Sequence, residues 1–289
     1  MSSLADQLAE YTTTVERKPI KHAIQQTDRR ILILDIERLP GVATMQHRGL
    51  TVKGDFWDLS GWKRVLGRRI QPEEVDEWPR TICAAARWYG TKTPMFTAEW
   101  QPAGQAGMAE TLWRWVDEAD VIVGHNIDSF DMKHIHTTLA LNGFPEPSPY
   151  KTVDTLKVAR RVFNFESNKL DSLAQRMGVP GKTDAYSVDV AKQAVDGDKA
   201  QQRILRDYNC GDLEATEAVY DAMRGWIPNH PAVFAEENHC VNCGGELELL
   251  KSSYRAVVLD YPLLRCESCG KHHRGTWQSR RAVNVHPVR

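Results

Sequence analysis

No excess of positive charge, no long apolar run and no internal repeat marks this sequence. Its 37 basic and 38 acidic residues leave a formal charge of −1, so no overall field announces a polyanionic partner, and such a partner must be met locally. The first thirty residues hold no apolar core of signal-peptide length. No later run approaches the ~18 apolar residues of a membrane span. A cytoplasmic protein without membrane attachment is expected. Cysteine is sparse as well: outside a C-terminal cluster only Cys83 and Cys210 occur, read here as small buried hydrophobes. That pattern argues against a disulfide framework.

What is present suits a globular chain. A length of 289 residues with 42% hydrophobic and 26% charged content provides for one large core and a satellite module. Residues 1–30 are polar and charged, an N-terminal arm. Apolar runs at 31–35, 81–90 and 95–100 read as strands that would form a meander. Residues 108–119 carry helical spacing, with Leu112, Trp115 and Val116 on one side, and "DVIVGHN" follows as a strand. Helical patterning dominates 153–225, where Ile204, Leu205, Tyr208, Leu213 and Val219 recur at buriable spacings. At 227–238 the periodicity ends between two prolines, which predicts a linker.

The chemistry begins in "ILILDIERLPG". Asp35 and Glu37, two apart on a strand, point to one face, and their repulsion needs an offset from a cation, an Arg partner or water. "VIVGHNIDSFDMKHI" repeats the arrangement: an apolar strand, a turn at Gly124, then polar groups at a strand exit, where α/β sheets gather their chemistry. Here Phe130 is expected to anchor a helix start while Asp131 faces outward, and Asp128 is the rival acid or an N-cap. Asp154 and Asp171 read as caps or hydrogen-bond anchors. On the late helix Tyr208 and Asp212, four apart, share a face. His125, His134 and His136 read as surface or packing residues, Trp57, Trp62, Trp88, Trp113 and Trp115 as core, and "KRVLGRR" (63–69) as a solvated face.

The ordered set "DIE" (35–37), "NIDSFD" (126–131) and "YNCGD" (208–212) resembles the three motifs of the DEDD superfamily of 3′-5′ exonucleases. Position 207, five before Asp212, is Asp rather than His, which resembles the tyrosine subclass. Residues 153–179 are similar to the corresponding segment in proofreading domains of family B polymerases. The first motif departs mildly, with Leu39-Pro40 where relatives carry Thr-x-Pro. The resemblance covers about residues 30–225 and implies an α/β, ribonuclease H-like mixed sheet flanked by helices.

It also implies that Asp35, Glu37, Asp131 and Asp212 hold two Mg²⁺ or Mn²⁺ ions about 3.5–4 Å apart, with Tyr208 orienting the attacking water. Leu39, Asn126 and Phe130 would contact the nucleic acid, a tryptophan exposed near the cleft could stack a base at a single-stranded end, and residues 63–69 could steer phosphate. The expected reaction is hydrolysis at single-stranded DNA 3′ ends to release 5′-mononucleotides. The alternatives are RNA trimming by the same acids, since the motifs do not read the 2′-hydroxyl, and a non-catalytic adaptor. A polymerase or other replication protein is an expected partner, in a bacterial or phage-infected cell.

"CVNC" (240–243) and "CESC" (266–269) have the paired spacing of structural zinc sites. Cys240, Cys243, Cys266 and Cys269 would hold one Zn²⁺ with no open position, in a module resembling a zinc ribbon, with residues 246–265 as its hairpin. The expected domains are the 1–30 arm, a 31–228 exonuclease domain and a 239–289 ribbon.

Overall fold

The computed structural model describes residues 30–181, 186–234, 239–256, 259–275 and 279–280. Along the chain lie β1 (Ile31–Leu39), β2 (Gly41–His47), β3 (Leu50–Phe56), α1 (Lys63–Leu66), β4 (Val75–Glu77), β5 (Arg80–Trp88), β6 (Met95–Ala98), α2 (Gly104–Asp117) and β7 (Val121–Gly124). They are followed by α3 (Asp131–Leu141), β8 (Lys151–Asp154), α4 (Thr155–Val162), α5 (Leu170–Met177), α6 (Val188–Val195), α7 (Lys199–Met223), β9 (Leu247–Arg255), β10 (Leu259–Cys266), β11 (His272–Arg274) and β12 (Ser279–Arg280). Contacts divide the described chain into one unit up to residue 231 and a second from residue 232 onward.

The first unit is built on a mixed sheet of order β6-β5-β1-β7-β8. β1 runs antiparallel to β5 and parallel to β7, while β7 and β8 pair in parallel. The expected meander is present as β1, β5 and β6 side by side, but β1 and β5 are not joined by a turn. Between them β2, β3 and β4 form a separate three-stranded sheet, whose small core holds Met45, Phe56 and Ile70. The sequence reading did not foresee this insertion.

Alternation along β1 sets the two faces of the main sheet. Leu32, Leu34 and Ile36 pack with Met108 and Leu112 of α2 and Ile135 of α3. The odd-numbered residues Ile31, Ile33, Asp35 and Glu37 therefore face the other way, toward the long helix α7, whose Asn209 bonds Asp35. β1 continues through both acids to Leu39 rather than stopping at 35. A register shift falls between Glu37 and Arg38.

Ion pairs fix α7 on the sheet. The Arg87 guanidinium of β5 donates from Nε and Nη2 to Glu217 at 3.1 and 2.8 Å. Arg224, just past the helix end, is buried between the rings of Tyr89 and Tyr220 and donates to the Tyr89 hydroxyl at 2.8 Å. The segment read as a linker is packed at its start: Ile227 is buried, and His230 bonds the Tyr220 hydroxyl at 2.7 Å. Its lack of periodicity reflects irregular backbone, not exposure.

In the second unit β9 and β10 pair antiparallel, as the alternation in 246–265 predicts, and β10 also pairs with β11. Among the described residues no helix is long and apolar enough to cross a membrane.

Removing Arg87 would strand the half-buried Glu217, whose carboxyl burial already pushes above its usual range. Arg87→Ala is expected to lower the unfolding free energy by about 3 kcal/mol, read from urea denaturation. A loss below about 0.5 kcal/mol would contradict a clamping role for this pair.

Candidate active site and metal centres

Three of the four predicted acids converge. One carboxylate oxygen each from Asp35, Glu37 and Asp212 lie within 4.8 Å of one another. Asp35 and Glu37 come from one face of β1. Asp212 comes from the middle of α7 and is buried. Asn209, one turn before Asp212 and fully buried, donates from Nδ2 to Asp35 Oδ2 at 2.6 Å and so sets that carboxylate's orientation. The sequence reading missed Asn209, because an Asn inside a long helix gives no signal of its own.

Asp131 stands apart from this trio. It opens α3, and contrary to the outward orientation expected it is 3% exposed. Its Oδ1 accepts from the Ile36 backbone N–H at 3.3 Å. The parallel pairing of β1 with β7 ends at Ile33–Val123. Beyond that point a side-chain oxygen takes up a strand N–H that no strand partner meets, which ties Asp131 to the stretch of β1 carrying the two acids. Burial pushes its carboxyl up to about 7 against the lowering effect of the backbone bonds, and Asp154 adds repulsion.

Phe130 is 40% exposed, and its ring meets that of His134, in the first turn of α3, edge-on at 4.7 Å. The loop from β7 to α3 is also held by Asp154, which caps α4 through Leu156 and Lys157 N–H groups and accepts from Asn126 N at 3.0 Å. Asn126 has φ 70°, a left-handed conformation that Asn tolerates better than most residues. Asp128 is not a cap but pairs with Lys157 at 2.7 Å.

Tyr208 lines a cavity of about 680 Å³ together with Tyr186, His125, Asn126, Arg160 and Lys169. The Tyr186 hydroxyl donates to the Arg38 carbonyl, and its ring lies 6.4 Å from that of Tyr208. His125 is held by Thr155 and the Asn168 carbonyl at 2.9 and 3.0 Å. Leu39, expected at the nucleic acid, is 5% exposed and packs with Ile82 and Cys83 in the core. Trp57, expected in the core, is 46% exposed. The Arg38 guanidinium lies 5.7 Å from the Trp57 ring and 5.9 Å from Phe130, a charged and aromatic cluster directly after Glu37.

A model of the RNase_H superfamily matches residues 79–224, which include Asp131, Tyr208 and Asp212 but not β1. The chain belongs to the RNase_H superfamily. Its ribonuclease H-like sheet is the mixed one expected. Among solved structures, the family B DNA polymerase of the hyperthermophilic archaeon Pyrobaculum calidifontis is similar at 15% identity and TM-score 0.42, over 68% of this chain and 25% of that one. The chain thus spans a quarter of that polymerase's length. No curated protein sequence matches.

The donor chemistry of the ribonuclease H-like site fits a hard divalent ion. Three carboxylates at mutual reach, with no nitrogen or sulfur among them, suit Mg²⁺ or Mn²⁺ rather than zinc. In the second unit the four thiols fit a different metal. Cys243 and Cys266 sulfurs lie 3.5 Å apart and those of Cys240 and Cys269 3.7 Å, far beyond the ~2.0 Å of a disulfide. They approach the ~3.8 Å edge of a tetrahedron with metal–sulfur bonds of about 2.3 Å. Gly244 and Gly270, at φ 73° and 72°, turn the chain after each pair, with Gly244 N bonded to the Cys240 carbonyl and Gly270 N to the Cys266 carbonyl.

The Asp131 shift has a pH consequence. A carboxyl raised in the folded state adds stability that is full below about pH 4 and lost as pH climbs through about 7. Without added divalent ion, Asp131→Asn should raise the melting temperature at pH 8 by an amount on the order of 5 °C and change it little at pH 4. An equal shift at both pH values would contradict this account.

Proposed function

We propose that the chain is a metal-dependent 3′-5′ exonuclease of the DEDD tyrosine subclass, cutting single-stranded DNA 3′ ends to 5′-mononucleotides. The observation that carries this reading is the convergence of Asp35, Glu37 and Asp212 within 4.8 Å, with Tyr208 one turn before Asp212 on the same helix.

In this reading Asp35, Glu37, Asp131 and Asp212 hold two Mg²⁺ or Mn²⁺ ions. When bound, such a pair supplies an activated water and charge stabilisation at the departing 3′ oxygen. The chain's own residues position the reactants. Asn209 fixes Asp35, and the Ile36 N–H fixes Asp131 beside the strand. Tyr208, packed against Tyr186, orients the water that adds to phosphorus as the bond to the 3′ oxygen breaks. Arg160 and Lys169 in the adjoining cavity offer charge to the phosphates. Phe130 and Trp57, exposed beside Arg38, offer faces on which the terminal bases stack.

The four cysteines hold one Zn²⁺ in a zinc ribbon, a structural role in keeping with four closed ligands. The ribbon would meet nucleic acid or a replication protein such as a polymerase.

A 5′-labelled 3′-overhang DNA incubated with Mn²⁺ should shorten from its 3′ end in single-nucleotide steps. Asp35→Ala and Asp212→Asn should each slow this at least about 10³-fold, with melting temperature not lowered. An RNA counterpart degraded faster than DNA would move the substrate to RNA. Residual hydrolysis near the wild-type rate in Asp35→Ala would sink the assignment. Metal analysis should find about one zinc per chain, lost in Cys243→Ser, whereas a zinc-free wild type with Cys240, Cys243, Cys266 and Cys269 as free thiols would contradict the ribbon.

A further inference from the structure

A second cavity, of about 590 Å³, opens in the first unit between α7, β6 and the turn after it, walled by Phe96, Trp100, Lys199, Arg203 and Arg206. We propose that this groove binds a second stretch of single-stranded nucleic acid, holding the strand at a point separate from the carboxylates. The inference rests on the reading that a nucleic-acid strand is the substrate.

The chemistry of the wall favours a strand. Lys199, Arg203 and Arg206 are exposed and, spaced four and three apart, form one stripe of the helix. Among the described residues no acid lines the cavity. Asp198, the neighbouring carboxylate, is engaged in capping α7 through Ala200 and Gln201 N–H groups, and Asp207 does not reach the wall. In a chain of net charge −1, three cations facing one recess make a local positive field suited to successive phosphates.

The aromatic pair supplies the other half. Phe96 and Trp100 are half-buried against the Leu39–Ile82 core, with ring centroids 6.1 Å apart and tilted by 42°. A purely packing role accounts for their inner faces. It does not account for the Arg206 guanidinium lying 5.9 Å over Phe96 or for the open volume beside them. Aromatic faces set among cations, without acids, are what sequence-tolerant binding of unpaired bases uses.

Position links the groove to the acids. Phe96 pairs with Ala85, and Ala85 with Asp35, so all three share one face of the sheet. Two interstrand spacings put Phe96 about 10 Å from Asp35. Along α7, Arg206 precedes Asp212 by six residues, about 9 Å of axis, and lies about 200° around the helix from Tyr208. The groove is therefore across the helix from the Tyr208 cavity, yet within reach of a strand whose end sits at the carboxylates.

The test is anisotropy of 5′-fluorescein-labelled dT20 with the full chain, without added divalent ion, so that the groove is read whether or not the strand is cut. Arg203→Ser with Arg206→Ser should weaken binding at least about tenfold and reduce the slope of log K against log salt by about 1.4, two contacts at ~0.7 each. Trp100→Leu should weaken binding with the slope unchanged. Variants that keep the wild-type melting temperature and bind dT20 with unchanged affinity and slope would overturn the proposal. Should the double variant melt early, Arg203→Glu alone, at an exposed position, is expected to weaken binding and reduce the slope by about 0.7, the one contact it removes.

Discussion

Three carboxylates whose oxygens lie within 4.8 Å of one another are the constraint around which the first unit is arranged. At an effective dielectric of about 20, each pair of unit charges at that distance repels by about 3.5 kcal/mol. A chain folded only for stability would let them drift toward water. Here the backbone denies them that relaxation: Asp35 and Glu37 lie on a strand held by β5 on one side and tied by the Ile36 N–H to Asp131 on the other, and Asp212 is buried in the middle of a 25-residue helix. A divalent ion bound among them would offset that repulsion.

The helix α7 carries most of that constraint. It brings Tyr208, Asn209 and Asp212 to β1, and the Arg87–Glu217 pair and the buried Arg224 hold its second half against β5 and Tyr89. These clamps lie one turn and more beyond Asp212, so they define the angle at which the carboxylate meets the strand without entering the site. Asp131 reaches the same strand by another route, through the loop that Asp154 organises and the Ile36 N–H. Two independent segments thus converge on one stretch of β1, which is how a site assembled from residues 35 to 212 can hold its geometry.

Much of this was legible in the sequence, because the relevant signals are local. Period two places Asp35 and Glu37 together, a four-residue step places Tyr208 with Asp212, and the order of the three motifs points to the ribonuclease H-like sheet. What escaped depends on tertiary partners. The burial of Asp131 follows from an unmet strand N–H that no pattern announces. Leu39, adjacent to the acids, is withdrawn because β1 runs on past them into the core. Trp57 is exposed because the segment between β1 and β5 folds on its own three-stranded sheet, and aromatic content alone does not tell a core ring from a surface one. The stretch at 227–230 packs by single contacts, Ile227 and the His230–Tyr220 bond, which leave no periodic trace.

The same helix that delivers Asp212 also presents Lys199, Arg203 and Arg206 on its other side. If the converging carboxylates are a divalent-metal site, anomalous diffraction at the manganese edge from Mn²⁺-soaked crystals will show a peak coordinated by Asp35, Glu37 and Asp212. A well-ordered trio with no peak, or with a lysine or arginine side chain seated among the three carboxylates, would contradict that assignment.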